Sequence, residues 1–148
     1  MKRLATAIWR GGPRAGEGTV STASGVFNDV LFTSSTTNKD DFPCTCPSEM
    51  LAAAAGSCVS LMVAKELAIA KIPADHVRTD TELEIVENAR TWKILGLKMK
   101  VSVGVGEMDE AEFHKAIKRA KQNCAISNAL KVPITVEVEV ETPHSMKV

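Results

Sequence analysis

Pro47-Ser48-Glu49-Met50-Leu51-Ala52-Ala53-Ala54-Ala55-Gly56-Ser57-Cys58-Val59-Ser60-Leu61-Met62-Val63-Ala64-Lys65 is the segment around which the architecture is organised. Proline suits the first turn of a helix, where its missing N–H would have had no partner. The four consecutive alanines, with Met, Leu and Lys, favour helix behind it. The helix should run from Pro47 to about Lys71, because Pro73 stops it. Met50 to Ala64 carries no charge over fifteen residues. A membrane span needs about 20, so this run reads as a buried helix. A helix apolar on every side belongs at the centre of a fold. In a chain of 148 residues with few aromatics, that implies burial between two copies as well as within one.

Downstream, Thr79, Thr81, Leu83 and Ile85 alternate with charged residues. Leu95, Leu97, Met99, Val101, Val103 and Val105 alternate with Lys98, Lys100 and Ser102. Period two means one buried and one wet face, so the pair reads as a hairpin. Asp109 followed by Glu112 is a capping-box arrangement, and Phe113, Ala116, Ile117 and Ala120 form the apolar stripe of the helix it opens. Cys124 falls about three turns beyond Phe113 and points inward if the helical phase persists. Ala125-Ile126-Ser127-Asn128 reads as a short new helix, and Ile134, Val136, Val138 and Val140 as a last strand.

Upstream, Ala5 to Trp9, Thr19 to Thr22 and Val26 to Phe32 are strand candidates between glycine-marked turns. Thr33 to Cys46 is polar and aperiodic, a loop. Strands, long helix, strands, helix, strand is an α+β order, with helices packed on antiparallel sheet in one domain, 1–148.

Eighteen basic residues balance eighteen acidic ones, which removes the electrostatic motive for nucleic acid or an anionic membrane as partner. Two Trp, four Phe and no Tyr leave little for base stacking. Leu4 to Trp9 is too short for a secretory h-region and Arg10 ends it, so a cytoplasmic, reducing location is expected. There, cysteines tend towards reactive or metal-binding roles rather than structural disulfides.

Cys58 sits deep in the apolar helix, beyond the reach of the helix dipole; it is either a small core residue or a thiol needing a nearby cation. Cys124, at a helix start, is better placed for a lowered pKa, or is one more stripe residue. Cys44 and Cys46 lack further ligands at metal spacing, because His76, His114 and His144 are scattered. No metal and no cofactor are expected, and pattern alone leaves the cysteines undecided.

Three segments carry a resemblance to a known family. They are Trp9-Arg10-Gly11-Gly12-Pro13-Arg14-Ala15-Gly16-Glu17-Gly18 through Val26, Pro47 to Cys58, and Asn123-Cys124-Ala125-Ile126-Ser127-Asn128-Ala129-Leu130. In order and spacing they resemble the OsmC/Ohr family, the organic-hydroperoxide reductases. The resemblance implies an intertwined homodimer with sheets packed around a long central helix. It also implies a two-cysteine peroxidase. Cys58 would attack the hydroperoxide and become a sulfenic acid, Cys124 would close a disulfide onto it, and a dithiol, in this family a lipoyl group, would reduce the pair.

Departures from the family pattern accompany the match. The OsmC branch carries an arginine in the loop before the central helix, but no arginine occurs between Arg14 and Arg78, and Lys39 is the loop's cation. Arg14 stands near the place from which the Ohr branch supplies it. Ser48 holds the family's glutamate position and Glu49 comes one later, about 100° round the helix. Arg14 and Glu49 are thus the expected activating pair. Two other functions compete: a non-peroxidatic binder of a hydrophobic small molecule, and a redox sensor using Cys44 or Cys46.

Overall fold

The computed structural model describes residues 1–12, 15–34, 44–88 and 91–141. The chain divides into two compact units, Met1–Leu51 and Ala52–Val148.

In the first unit, β1 (Ala5–Arg10), β2 (Glu17–Thr22) and β3 (Val30–Phe32) form an antiparallel sheet in that order. The Phe32 ring lies over Gly18, where an added Cβ would come within 2.4 Å of it. Only hydrogen fits there. The expected strand from Val26 shortens to β3, because residues 23–29 make a turn instead. Gly25 and Asp29 take positive φ there, and the Asp29 N–H donates to Ser21 Oγ at 2.9 Å. Thr45 closes one parallel bridge to Phe32.

The long helix α1 runs Pro47–Ile69, as its composition predicts. Its buried positions Ala55, Val59, Val63 and Leu67 recur every four residues and join the core cluster of the second unit. By length and composition alone α1 would be long and apolar enough to cross a membrane. Leu61 and Ile69 on its other side are 64% and 61% exposed.

The second unit is built on β4 (Ala74–Asn88), β5 (Thr91–Val105) and β6 (Ile134–Glu141), with β5 in the middle. The capped helix α2 (Glu110–Asn123) and the short α3 (Ala125–Ala129) lie between β5 and β6 in sequence. Asp109 caps α2 through the Glu112 N–H at 3.0 Å, and all four expected stripe residues are buried. Leu97, Met99, Val101, Val103 and Val105 pack with α1 and α2 in one cluster.

Two expectations are corrected here. The sheet is mixed, because β6 pairs parallel to β5. A crossover through helices returns the chain to the end where β5 began, which is how parallel neighbours are connected. Leu95, expected to face inward, is 39% exposed. The register shifts between Glu84 and Ile85, which pair with Gly96 and Ile94 and leave Leu95 without a partner. A one-residue bulge flips every side chain beyond it to the other face. Ile94 accordingly packs against the core in its place.

Candidate active site

α1 can lie close to β4 because of the glycine two residues before Cys58. A Cβ on buried Gly56 would sit 2.6 Å from Thr81 Oγ1. One turn along, Ser60 Oγ and Thr79 Oγ1 share a hydrogen bond of 2.7 Å. Cys58 is half-buried between these anchors and packs against the core.

Cys124 reaches the same place from the other helices. It is extended (φ −72°, ψ 107°), ending α2 and capping α3. The helical phase therefore breaks at the cysteine, yet its side chain is still fully buried, at 0% exposure. Asn128 holds the break. Its backbone N–H donates to Cys124 O at 3.0 Å and its Nδ2 to Gln122 O at 2.8 Å, satisfying a carbonyl at the end of α2. Just before the break, Glu66 of α1, 5% exposed, accepts from Arg119 Nε at 2.8 Å and Asn123 Nδ2 at 3.1 Å. Those bonds keep the Glu66 carboxyl below its usual range, Arg119 contributing most, against the opposing effect of burial.

The sulfurs of Cys58 and Cys124, sixty-six residues apart in sequence, face each other closely enough that each shifts the other's ionisation. Both are free thiols. Burial pushes Cys58 up, the Cys124 sulfur pushes it further, and the N–H groups of Ile126 and Ala125 offset only part of this. None of these influences is a cation. Burial alone would also raise Cys124. The Ser127 hydroxyl, the Ser127 N–H, the Cys58 thiol and the Ile126 N–H together outweigh it and hold Cys124 below its ordinary value. The pair can keep one proton and release the other, with the negative charge favoured at Cys124.

Glu49, exposed, accepts from Thr45 Oγ1 at 3.0 Å beside the start of α1. Arg14 and Lys39 fall outside the described residues. Cys44 is half-buried and Cys46 buried against Ser48 Oγ at 3.0 Å, so the C-x-C segment is not an exposed redox loop. Among the described residues no cluster of His, Cys, Asp or Glu is arranged to hold a metal ion. Sequence reasoning missed Ser127, Glu66 and Arg119. A carboxylate inside an apolar helix was the available signal for Glu66, since a buried charge demands a partner. Nothing local singled out Ser127.

Among the cavities of the second unit, two are lined in part by α1, and neither is lined by Cys58 or Cys124. One of about 270 Å³ is lined by Val59, Lys121, Ser127, Val132, Ile134 and Val136. A larger one, about 800 Å³, lies towards the C-terminal end of α1 between Leu61, Ala68, Ile72 and His76, and neither cysteine lines it.

Residues 38–139 match the family described as OsmC-like protein. The chain is 29% identical over 136 residues to the peroxiredoxin OsmC of Escherichia coli (strain K12), covering 92% of this chain and 94% of that one. An OsmC-like protein of unknown function from Vibrio cholerae superposes with a TM-score of 0.77 at 15% identity, covering 94% of this chain and 99% of its own. An organic hydroperoxide resistance protein from Elizabethkingia anophelis does so with 0.68 at 20% identity, over 96% of both chains. The family match spans both cysteines that the fold brings together and the break that buries the second, so this chain belongs to the OsmC-like family.

Proposed function

We propose that this protein is a thiol peroxidase that reduces organic hydroperoxides to alcohols with Cys58 and Cys124. The observation that carries the reading is the meeting of these two free thiols across the second unit, in a chain of the OsmC-like family. The name of the Escherichia coli relative and that of the Elizabethkingia structure support it.

Cys58, the more accessible thiol, attacks the distal oxygen of the hydroperoxide. The O–O bond breaks, the alcohol leaves with a proton, and Cys58 becomes a sulfenic acid. Cys124 condenses with it to a disulfide and water. A dithiol of the lipoyl type, in the cytosol, restores both thiols. Because burial raises Cys58, the attack needs a cation beside the sulfur, and among the described residues none acts on it. Arg14, with Glu49 as carboxylate partner, is our assignment for that role. Leu61 and Ile69 of α1, both well exposed, are apolar surface that a second copy would cover in an intertwined homodimer.

Turnover of cumene and fatty-acid hydroperoxides, first with dihydrolipoamide and then with thioredoxin as reductant, tests the reading. Consumption dependent on Cys58 is the expected result. Absence of turnover with both reductants would replace it with binding of a hydrophobic small molecule, for which the cavity of about 800 Å³ offers room.

A further inference from the structure

Cys124 occupies the cap position of α3, where a side chain usually accepts from the N–H of the second or third helical residue. Its sulfur closes no full cap hydrogen bond of that kind. Instead Ser127, the third residue of α3, reaches back, and its hydroxyl donates to Cys124 Sγ at 3.1 Å. The sulfur has no exposure, so water cannot supply that hydrogen bond. A thiolate forming in such a place depends on whatever donors the protein aims at it, and a charge-assisted hydrogen bond is stronger than a neutral one.

We infer that Ser127 is a catalytic residue of the second step: its hydroxyl stabilises the Cys124 thiolate that closes on oxidised Cys58. This rests on the peroxidase reading above. In the step, the Cys124 sulfur attacks the Cys58 sulfur and the Cys58 S–O bond breaks. The departing hydroxide takes up a proton as water, and the two-electron oxidation delivered by the hydroperoxide ends in the disulfide. The Ser127 proton stays on its oxygen throughout, and the hydrogen bond weakens as the charge on Cys124 disappears into the new bond. Among the described residues, the titratable and charged groups nearby are Cys58 on α1, Lys121 on α2, which lines the same cavity as Ser127, and the Glu66–Arg119 pair bonded to Asn123. β6 contributes the apolar Ile134 and Val136 to that cavity.

Two measurements test the inference. In a Cys58→Ser background, site-resolved ¹³Cβ NMR of labelled cysteine follows the ionisation of Cys124 itself. Adding Ser127→Ala should shift its titration to higher pH, and Ser127→Thr should restore it; an unmoved titration overturns the inference. In the protein with both thiols, one equivalent of cumene hydroperoxide is added and the Cys58 sulfenic acid is trapped with dimedone over time. Ser127→Ala should slow disulfide closure roughly tenfold or more at pH 7, the scale of one hydrogen bond to a charged group. The gap should narrow at high pH, where Cys124 ionises without help. Slowing by one factor at every pH would mark a packing defect and overturn it. If the wild type forms no sulfenic acid while the NMR shift holds, the peroxidase reading falls and the role of Ser127 towards Cys124 stands.

Discussion

Cys58 and Cys124 share one contact and are presented by opposite means. Cys58 rides an unbroken helix, half-buried, its backbone N–H and C=O committed to the helical ladder. Cys124 stands where the ladder stops, fully buried, with the N–H groups of a new helix turned towards it. The continuous helix supplies position and no charge stabilisation; the break supplies both. The more accessible thiol and the thiol better supplied with hydrogen-bond donors are therefore different residues.

Removing each sulfur in turn tests the two presentations most directly. Cys58→Ser should abolish hydroperoxide turnover. Cys124→Ser should also abolish turnover with dithiol yet leave a long-lived, dimedone-reactive Cys58. If Cys124→Ser protected nothing and Cys58→Ser left a trappable Cys124, the two roles would be reversed. Next in size is the activating cation. Arg14→Ala should cut the rate of Cys58 oxidation on the order of tenfold or more, the range of a lost charge-stabilising donor. Lys39→Ala should do less, since a lysine lacks the two-pronged geometry that holds a thiolate and a peroxide oxygen together. Equal rates in wild type and Arg14→Ala would remove the assignment.

A smaller effect probes position. Gly56→Ala gains helix propensity but drives a methyl group against Thr81. The net loss should be about 1–2 kcal/mol by chemical denaturation, with slower disulfide closure because α1 is pushed off β4. The smallest concerns pH. Arg119 and Asn123 lower the Glu66 carboxyl, so their contribution to stability is complete above the unfolded value of about 4.3 and is lost as pH falls through the lower folded value. Thermal melting should therefore show a steeper acid limb below about pH 5 in the wild type than in Glu66→Gln. Identical limbs would mean that the pair contributes nothing at the α1–α2 junction.

Much of this was legible along the chain. Composition and proline punctuation place α1, the capping-box residues place the Asp109 cap, and periodicity places the β4–β5 hairpin and the stripe of α2, because each depends on near neighbours in the chain. The parallel β6 and the flipped Leu95 escaped, because pairing direction and a bulge are settled between strands. A continuing helical phase points Cys124 inward; it is inward, but through a break, which Asn128 holds by contacts that apolar periodicity does not report.

Residue order alone thus fixes most elements, their succession, and the buried faces of α2 and of β5 from Leu97 onward, because these follow from local propensity and repeat. Tertiary structure decided what meets what. It set Cys58 against Cys124 and Glu66 against Arg119 and Asn123, and it sealed Cys124 from water so that the Ser127 hydroxyl takes the solvent's place as donor. The physical reason is that ionisation and reactivity are set by burial and by donors within a few ångströms. Some of those donors come from more than fifty residues away, as Arg119 does for Glu66, and others, as Ser127 for Cys124, are near in the chain but matter because packing has excluded water.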